Sequence, residues 1–195
     1  MHKLRIVIAG RDVQFRKQLK KTLNIAGHGV IGEAEDSVSA LRLVHTVQPD
    51  LCIVSFDLGG AEALDLAKNI EEIRISAVIL VVDYTEKDII YKPDVEWAIP
   101  VLVKPFDELN LLTLIDYSFM AFSKVTGLQQ EVNRLKSGLE VRKVVEKAKG
   151  ILMKTYGLSE DVAFKRIQQQ SMKKRTTMKH VAEAIIMSHE ISNPR

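Results

Sequence analysis

Short apolar runs alternate with amphipathic segments over residues 1–107, and this alternation restricts the fold more than any other feature. Five runs read as strands, and the segments between them repeat apolar residues at helical spacing. The runs cover residues 4–10, 30–35, 51–56, 77–83 and 99–105, and a weaker helical signal covers residues 85–94. Repeated strand–helix units place parallel strands between two layers of helices. The pattern predicts an α/β fold with a doubly wound sheet of five parallel strands.

The pattern changes after Asp107, because no strand signal follows and no proline occurs before Pro194. Five apolar residues spaced 3, 4, 3 and 4 form a short heptad seam: Val125, Leu128, Val132, Leu135 and Leu139. Such a seam is typical of a two-stranded coiled coil between subunits, although a helix packed on its own domain would show the same spacing. The sequence therefore predicts a long connecting helix and a homodimer.

Three helical segments close the chain and predict a small all-α domain. The first ends at Gly157, Ser159 is placed to cap the second, and a threonine of Thr176–Thr177 is placed to cap the third. The third segment carries an apolar stripe at helical spacing. Its members are Met178, Val181, Ala182, Ile185 and Ile186. We expect a first domain at 1–120, a coiled-coil linker at 121–139 and a three-helix domain at 140–192.

Charge is distributed unevenly between the two parts of the chain. Residues 124–195 hold 15 Lys and Arg against 7 Asp and Glu, a formal charge of +8, whereas residues 1–123 carry −5. The basic part is therefore a candidate for binding a polyanion. Cys52 alone cannot form an intrachain disulfide, and no run is apolar enough for a membrane span or a signal peptide. We expect a cytoplasmic protein that does not bind membranes.

The first domain resembles the receiver domain of two-component response regulators, in strand order, in length and in the "LVKP" of residues 102–105. The resemblance implies a flavodoxin-like fold with a phosphate-accepting aspartate at the end of the third strand. It also implies an acidic pair that holds Mg²⁺ after the first strand, a hydroxyl ending the fourth strand and a lysine ending the fifth. In this sequence these positions fall on Gly10 and Arg11, Ser55, Val82 and Lys104, with Asp12 the nearest acid to the missing pair.

Only the lysine of that pocket remains, so the sequence predicts a pseudo-receiver that neither binds Mg²⁺ nor accepts phosphate. Asp57 follows Ser55 by two residues and is interpreted as a loop acid. The alternative is that Asp12 and Asp57 form an unusual acidic site. Lys104 is expected to pair with a nearby acid, and the Lys104–Pro105 bond is expected to be cis, as in the receivers that the domain resembles. We predict no cofactor.

Residues 146–186 resemble the ANTAR domain, the RNA-binding output module of the AmiR and NasR antitermination regulators. The matching pieces are "AKGILM" at 148–153, "GLSEDVAF" at 157–164, Arg166, Ser171 and "VAEAI" at 181–185. The resemblance implies a regulator that binds hairpins in mRNA leaders and so prevents a downstream terminator from forming. The input at the pseudo-receiver would then be a small ligand or a regulatory protein.

Basic residues and one glycine are the candidates for RNA contact. Lys143, Lys147, Gly150 and Lys154 share a helix face, and a glycine inside a helix suggests a close approach by a neighbouring helix or by a nucleic-acid backbone. The full candidate set is Lys143, Lys147, Lys149, Gly150, Lys154, Arg166, Lys173, Lys174 and Arg175. Taken one at a time, each lysine could instead be a solvated surface residue, and Tyr156 could stack on a base or only fasten the helix end.

Two other functions remain open at the level of sequence. A basic three-helix unit could be a DNA-binding helix-turn-helix of a response regulator, although the turn "MKKRT" lacks the short glycine-bearing form. The chain could also be an adaptor whose pseudo-receiver docks a sensor protein. The histidines lack the spacing of metal ligands, and no nucleophile–base motif is present, so we do not expect an enzyme.

Overall fold

A computed structural model describes residues 3–86 and 99–192. Its five strands form one parallel sheet in the order β2-β1-β3-β4-β5, which confirms the predicted fold class. The strands are β1 (Arg5–Ala9), β2 (Gly29–Ala34), β3 (Leu51–Ser55), β4 (Ala77–Asp83) and β5 (Val101–Lys104). Of the weak helical signal at 85–94, residues 87–94 lie outside the described part of the chain.

Six α-helices lie in the described ranges. They are α1 (Val13–Ile25), α2 (Ser37–Val47), α3 (Ala61–Ile73), α4 (Glu108–Tyr156), α5 (Glu160–Lys173) and α6 (Met178–Ser192). The long helix α4 has 49 residues and carries the predicted heptad seam. None of these helices is both long and apolar enough to cross a bilayer.

Helix ends follow the local chemistry of the sequence, with one exception. The side chain of Asp36 accepts a hydrogen bond from the amide of Ser39 at the start of α2. Thr177 Oγ1 accepts one from the amide of His180 at the start of α6. Gly157, with φ of +66°, lies directly after the last residue of α4, as expected. Ser159 occupies the cap position of α5, but its hydroxyl makes no capping hydrogen bond.

The sheet separates two hydrophobic cores, because successive strand residues point to opposite faces. Val7 of β1 and Val54 of β3 belong to the core packed under α2 and α3. Ile8 and Ile53 point the other way, into the core formed with α1 and the first turns of α4. All five residues of β3 are buried, which agrees with a strand covered on both faces.

The chain divides into two compact units, residues 1–127 and 128–195. The second unit has its own core, built from the end of α4 together with α5 and α6. Its buried members are Val145, Ala148, Leu152, Ala163, Ile167, Val181 and Ala182. The stripe predicted on α6 contributes to this core. The linker boundaries proposed from sequence at 120 and 139 stay predictions.

The carboxyl ends of β1, β3, β4 and β5 lie along one edge of the parallel sheet. This edge therefore collects residues at the strand ends or directly after them, including Gly10, Ser55, Asp83 and Lys104. A 3₁₀ turn, Phe56–Leu58, follows β3 directly and carries Asp57.

The thiol of Cys52 should report unfolding of the sheet. Cys52 is fully buried in β3, and burial raises the pKa of its thiol to about 12. Because the thiolate is the reactive species, we expect Ellman's reagent to react at mildly alkaline pH about a thousandfold more slowly than with an exposed thiol. In denaturing guanidinium chloride, one thiol per chain should react at once. The double variant Cys52→Ser with Ser137→Cys carries a single exposed thiol and is the control. If the thiols of the folded parent and of the folded variant reacted at the same rate, the burial of Cys52 would be contradicted.

Candidate functional site

The positions that correspond to a receiver's phosphorylation pocket meet at the carboxyl edge of the sheet, but they carry no acid there. Ser55 ends β3 with 1% of its surface exposed. Its hydroxyl is buried and has no hydrogen-bond partner among the described residues. Val82, near the end of β4, is fully buried in the core under α2 and α3. These side chains offer neither a phosphate acceptor of the usual kind nor a hydroxyl at the end of β4.

The loop after β1 leaves no room for a longer side chain at position 10. A Cβ atom added to Gly10 would lie 2.9 Å from the Cβ of Ser55 and 3.2 Å from Asp57 Oδ1. A glutamate or aspartate at this position would therefore require β1 and β3 to shift apart. Gly10 also donates its amide to the carbonyl of Ala34, which ties the loop to the end of β2.

Asp57 lies in the turn after β3 and holds the loop between β1 and α1. Its carboxylate oxygens accept the amides of Arg11 at 3.1 Å and of Asp12 at 2.7 Å. Asp57 therefore has a structural role in the loop, in line with its interpretation from sequence.

The other two residues of the loop point away from a metal position. Asp12 caps α1 by accepting the amides of Gln14 and Phe15. Arg11 turns outward, with its guanidinium 4.0 Å from Glu62. Mg²⁺ prefers several carboxylate oxygens arranged around one point, and both nearby carboxylates already bind backbone amides. The donor set at this edge therefore does not fit Mg²⁺, and the described residues contain no group of three or more possible metal ligands.

Arg16 supports this loop through contacts that the sequence reasoning missed. It is 5% exposed, donates to the carbonyls of Gly10 and Arg11, and lies 2.5 Å from Glu35 Oε1. Glu33 completes the cluster, and its hydrogen bond with Lys20 and the Arg16 guanidinium lower the pKa of its carboxyl. The signal was present in the sequence as basic residues four apart on α1 and as two glutamates two apart, Glu33 on β2 and Glu35 just after it.

Lys104 has the structural role that the sequence predicted. Its ammonium lies 3.6 Å from Asp83 Oδ2 and 4.4 Å from the centroid of the Phe15 ring. The Lys104–Pro105 peptide bond is cis, also as predicted. The lysine therefore joins the ends of β4 and β5 to α1.

The predicted basic face of α4 is partly neutralised within the protein. Lys147 bonds Glu190 of α6 at 2.9 Å, and Lys143 lies 3.6 Å from Glu140. Lys154 is exposed and makes no ion pair among the described residues. A Cβ added to Gly150 would meet no atom of another described helix within 4 Å, so none of the described helices accounts for this glycine.

Lys149, one of the candidates for RNA contact, is buried within the described part of the chain. It is 6% exposed, and its ammonium lies 2.8 Å from Glu146 and 2.7 Å from Glu160. These hydrogen bonds raise the pKa of Lys149, and the same contact lowers the pKa of Glu160. The lysine therefore joins α4 to the first turn of α5, and its charge is not available to a ligand.

The turn between α5 and α6 exposes three cations in succession. Lys173, Lys174 and Arg175 are all exposed, and none makes an ion pair within the described ranges. Arg175 has φ of +50°, and Thr176 donates its amide to the carbonyl of Ser171, so the turn has a defined geometry.

An open groove of about 810 Å³ lies beside this turn. Tyr156, Lys174 and His180 are among the residues that line it. Tyr156 is 63% exposed, and the Arg166 guanidinium lies 5.7 Å from its ring centroid. The predicted candidates Arg166 and Lys174 are thus brought together with an aromatic side chain.

The five apolar residues of the predicted seam are all exposed on α4. Their exposed fractions are 50% for Val125, 59% for Leu128, 42% for Val132, 57% for Leu135 and 58% for Leu139. Within the described residues the stripe is therefore about half open to solvent, and the choice between a coiled coil and a helix packed on its own domain stays a prediction.

Comparison with known proteins covers both units. The response regulator receiver domain matches residues 6–116, and the ANTAR domain matches residues 133–186. The transcriptional regulatory protein PdtaR of Mycobacterium tuberculosis is 35% identical over 182 residues, which cover 93% of this chain and 89% of that protein. The nitrate regulatory protein of Klebsiella oxytoca is 29% identical over 94 residues, covering 48% of this chain and 23% of that protein.

Solved structures show the same fold for the first unit. The signal receiver domain of the response regulator NarL from Mycobacterium tuberculosis superposes with a TM-score of 0.53 at 22% identity, covering 60% of this chain and 98% of that domain. Together with the sequence matches, this shows that the chain belongs to the family of two-component transcription regulators that join a response regulator receiver domain to an ANTAR domain.

Proposed function

We propose that this protein is an RNA-binding antiterminator whose ANTAR domain binds hairpins in mRNA leaders. Binding would hold the leader in a form that prevents a downstream terminator, so transcription continues. The observation that carries the proposal is the exposed turn Lys173–Arg175, whose three cations have no ion-pair partner in the described chain and lie beside an aromatic-lined groove.

The groove and the turn suit a single-stranded loop better than a paired stem. The deep groove of A-form RNA hides the base edges, so sequence is read from unpaired bases that stack and form hydrogen bonds. Tyr156 offers an exposed ring, and Arg166 and Lys174 lie at or near the same groove. Stacking of one base on an aromatic side chain contributes about 1–3 kcal/mol. The cations of the turn would neutralise nearby phosphates.

The exposed seam on α4 supports a homodimer through a two-stranded coiled coil. Five apolar residues at heptad spacing, each at least 42% exposed, are stabilised when a second helix covers them. A dimer would present two ANTAR domains to two hairpins of one leader. The second binding event would then be intramolecular and gain affinity from effective concentration.

We infer that the receiver-like domain is a pseudo-receiver, controlled by a ligand or a partner protein and not by phosphorylation. Ser55 replaces the acceptor, Gly10 leaves no room for an acid, and the carboxylates of Asp12 and Asp57 bind backbone amides. The DNA-binding and adaptor alternatives have no comparable support from a specific contact, and the first experiment below separates them from the proposal.

Selection of RNA hairpins tests the function directly. We expect the full chain to enrich hairpins with common loop bases from a random pool, over matched duplex DNA and at several salt concentrations. Lys173→Gln with Lys174→Gln should weaken binding about tenfold and reduce the slope of log K against log salt by roughly 0.7–0.9 per lost phosphate contact. Lys136→Gln, an exposed cation elsewhere on α4, is the control. Equal and steeply salt-dependent binding to RNA and DNA would contradict the proposal, and preference for one duplex DNA sequence would favour the DNA-binding alternative.

Gly150→Ala should separate stability from RNA binding. A glycine inside a helix costs about 1 kcal/mol relative to alanine, and the added methyl group meets no atom of the described residues within 4 Å beyond its own stretch of helix. The variant should therefore melt at a higher temperature but bind the selected hairpin about tenfold more weakly, because the methyl group blocks approach of the RNA backbone. Gly138→Ala lies in the same helix with equally open surroundings and should stabilise without weakening binding. Unchanged affinity in both variants would remove Gly150 from the interface.

Acetyl phosphate tests the pseudo-receiver assignment. After incubation with acetyl phosphate and Mg²⁺, the intact mass of the full chain should be unchanged, while a receiver with its acidic pocket intact, treated in the same tube, gains a phosphoryl group. A phosphoryl adduct on this chain, lost in Asp57→Asn, would identify Asp57 as an acceptor and reverse the assignment.

A further inference from the structure

We propose that the receiver-like domain binds a small aromatic amine in a groove at the amino-terminal edge of its sheet. The groove lies between the end of α3, the start of β4, the residues just before β5, and α4. Its volume is about 550 Å³, within the range of small-molecule sites in proteins. It lies at the opposite end of the strands from Ser55 and Lys104, so it is separate from the receiver pocket.

The residues that line the groove favour a ligand with a flat apolar ring. Val78 and Ile99 are buried core residues that contribute to the groove, and Tyr117 and Phe122 line it from α4. Aromatic rings pack against each other in offset or edge-to-face arrangements, which gives a ring-bearing ligand an advantage over an aliphatic one of equal size.

One buried hydroxyl in the lining lacks a partner. Thr126 Oγ1 is inaccessible to solvent and forms no hydrogen bond within the described chain. Ser118, two turns earlier on the same helix, bonds back to the carbonyl of Leu114 at 2.6 Å. A buried polar atom without a partner is rare and costs free energy. Because Thr126 is one of the lining residues, a ligand that turns its side chain toward the groove would give this hydroxyl a hydrogen-bond partner.

The charges at the groove select against an anion. Glu71 and Glu72 line it with two carboxylates, and Arg74 supplies one guanidinium. None of the three makes an ion pair in the described ranges, so the charged side chains give the groove a formal charge of −1. An aromatic ring carrying a single ammonium group complements both this charge and the apolar walls.

The groove shares a helix with the proposed dimer seam. Val125 both lines the groove and begins the exposed heptad stripe of α4. A ligand packed against this stretch of helix would therefore act on the segment from which the dimer is proposed to form. This consequence rests on the proposed ligand control of the pseudo-receiver, whereas the binding itself does not.

Binding of a defined probe to the full chain tests the site. With isotope-labelled protein, phenethylamine should cause saturable amide shifts at Ser76, Ile99 and Thr126, with Kd on the order of 1 mM for so small a ligand. Phenethyl alcohol should bind about fivefold more weakly, and 3-phenylpropionate should not saturate. The preference for the amine should disappear in Glu71→Gln with Glu72→Gln.

Two variants on α4 locate the probe. Ala121→Trp should fill the groove and abolish binding, while Ser123→Trp, on the same helix but outside the groove, should bind as the parent does. Thr126→Val removes the unpartnered hydroxyl, so it should raise the melting temperature without ligand and weaken binding about fivefold. This variant keeps the test valid if Ala121→Trp fails to fold.

The proposal is overturned if no saturable shift occurs, if the shifts lie outside the groove, or if 3-phenylpropionate binds as tightly as the amine. Equal binding by a folded Ala121→Trp and by Ser123→Trp would overturn it as well. Hairpin binding is measured independently on the same proteins. If the probe does not bind the groove but the protein still selects RNA hairpins, only the ligand site is rejected. If the probe binds but no hairpins are selected, only the RNA function is rejected.

Discussion

Strand β3 is the constraint on which the rest of the receiver-like domain depends. It pairs with β1 on one side and with β4 on the other, and all five of its residues are buried. A slip of two residues, which would put Asp57 in the place of Ser55, would withdraw the buried Leu51 and Cys52 from the sheet and change the register with both neighbouring strands. The strand therefore has to end at Ser55, and Asp57 is carried into the following turn, where backbone amides take up its carboxylate. The register of β3 therefore decides which side chains lie at the carboxyl edge of the sheet.

Sequence periodicity predicted most of the architecture, because strands such as β3 and helices such as α6 show their burial directly in the order of apolar residues. The capping role of Thr177 and the turn at Gly157 were also readable, since both depend on local chemistry. Contacts between residues far apart in the sequence could not be predicted in this way. Arg16 looked like one more basic residue of α1, and its glutamate partners lie on β2 and directly after it. The groove beside α4 is assembled from four separate segments, and no local pattern indicates it.

Counting cations in the ANTAR unit overstates the surface available to RNA. Lys149 is buried between two glutamates, and Lys147 is bonded to Glu190 of α6. Each of these lysines pairs with an acid on another helix, Lys149 with Glu160 at the start of α5 and Lys147 with Glu190 of α6, so their charges are already used inside the unit. The turn at Lys173–Arg175 differs, since its cations follow one another in the chain and have no ion-pair partner among the described residues. Unpaired charge distinguishes a contact surface better than charge alone.

The exposed middle of α4 makes the folding of this helix dependent on the concentration of the protein. Every residue of α4 from 127 to 140 is exposed. Two glycines, Gly127 and Gly138, lie in or at the ends of this stretch, so its own backbone preference for helix is weak. Without burial, a helical stretch of this length is marginal in water. If a second copy covers the seam, as proposed, the fraction of chains in which this stretch is helical would rise with the concentration of the protein. The amount of the protein in the cell would then affect how strongly it controls its target gene.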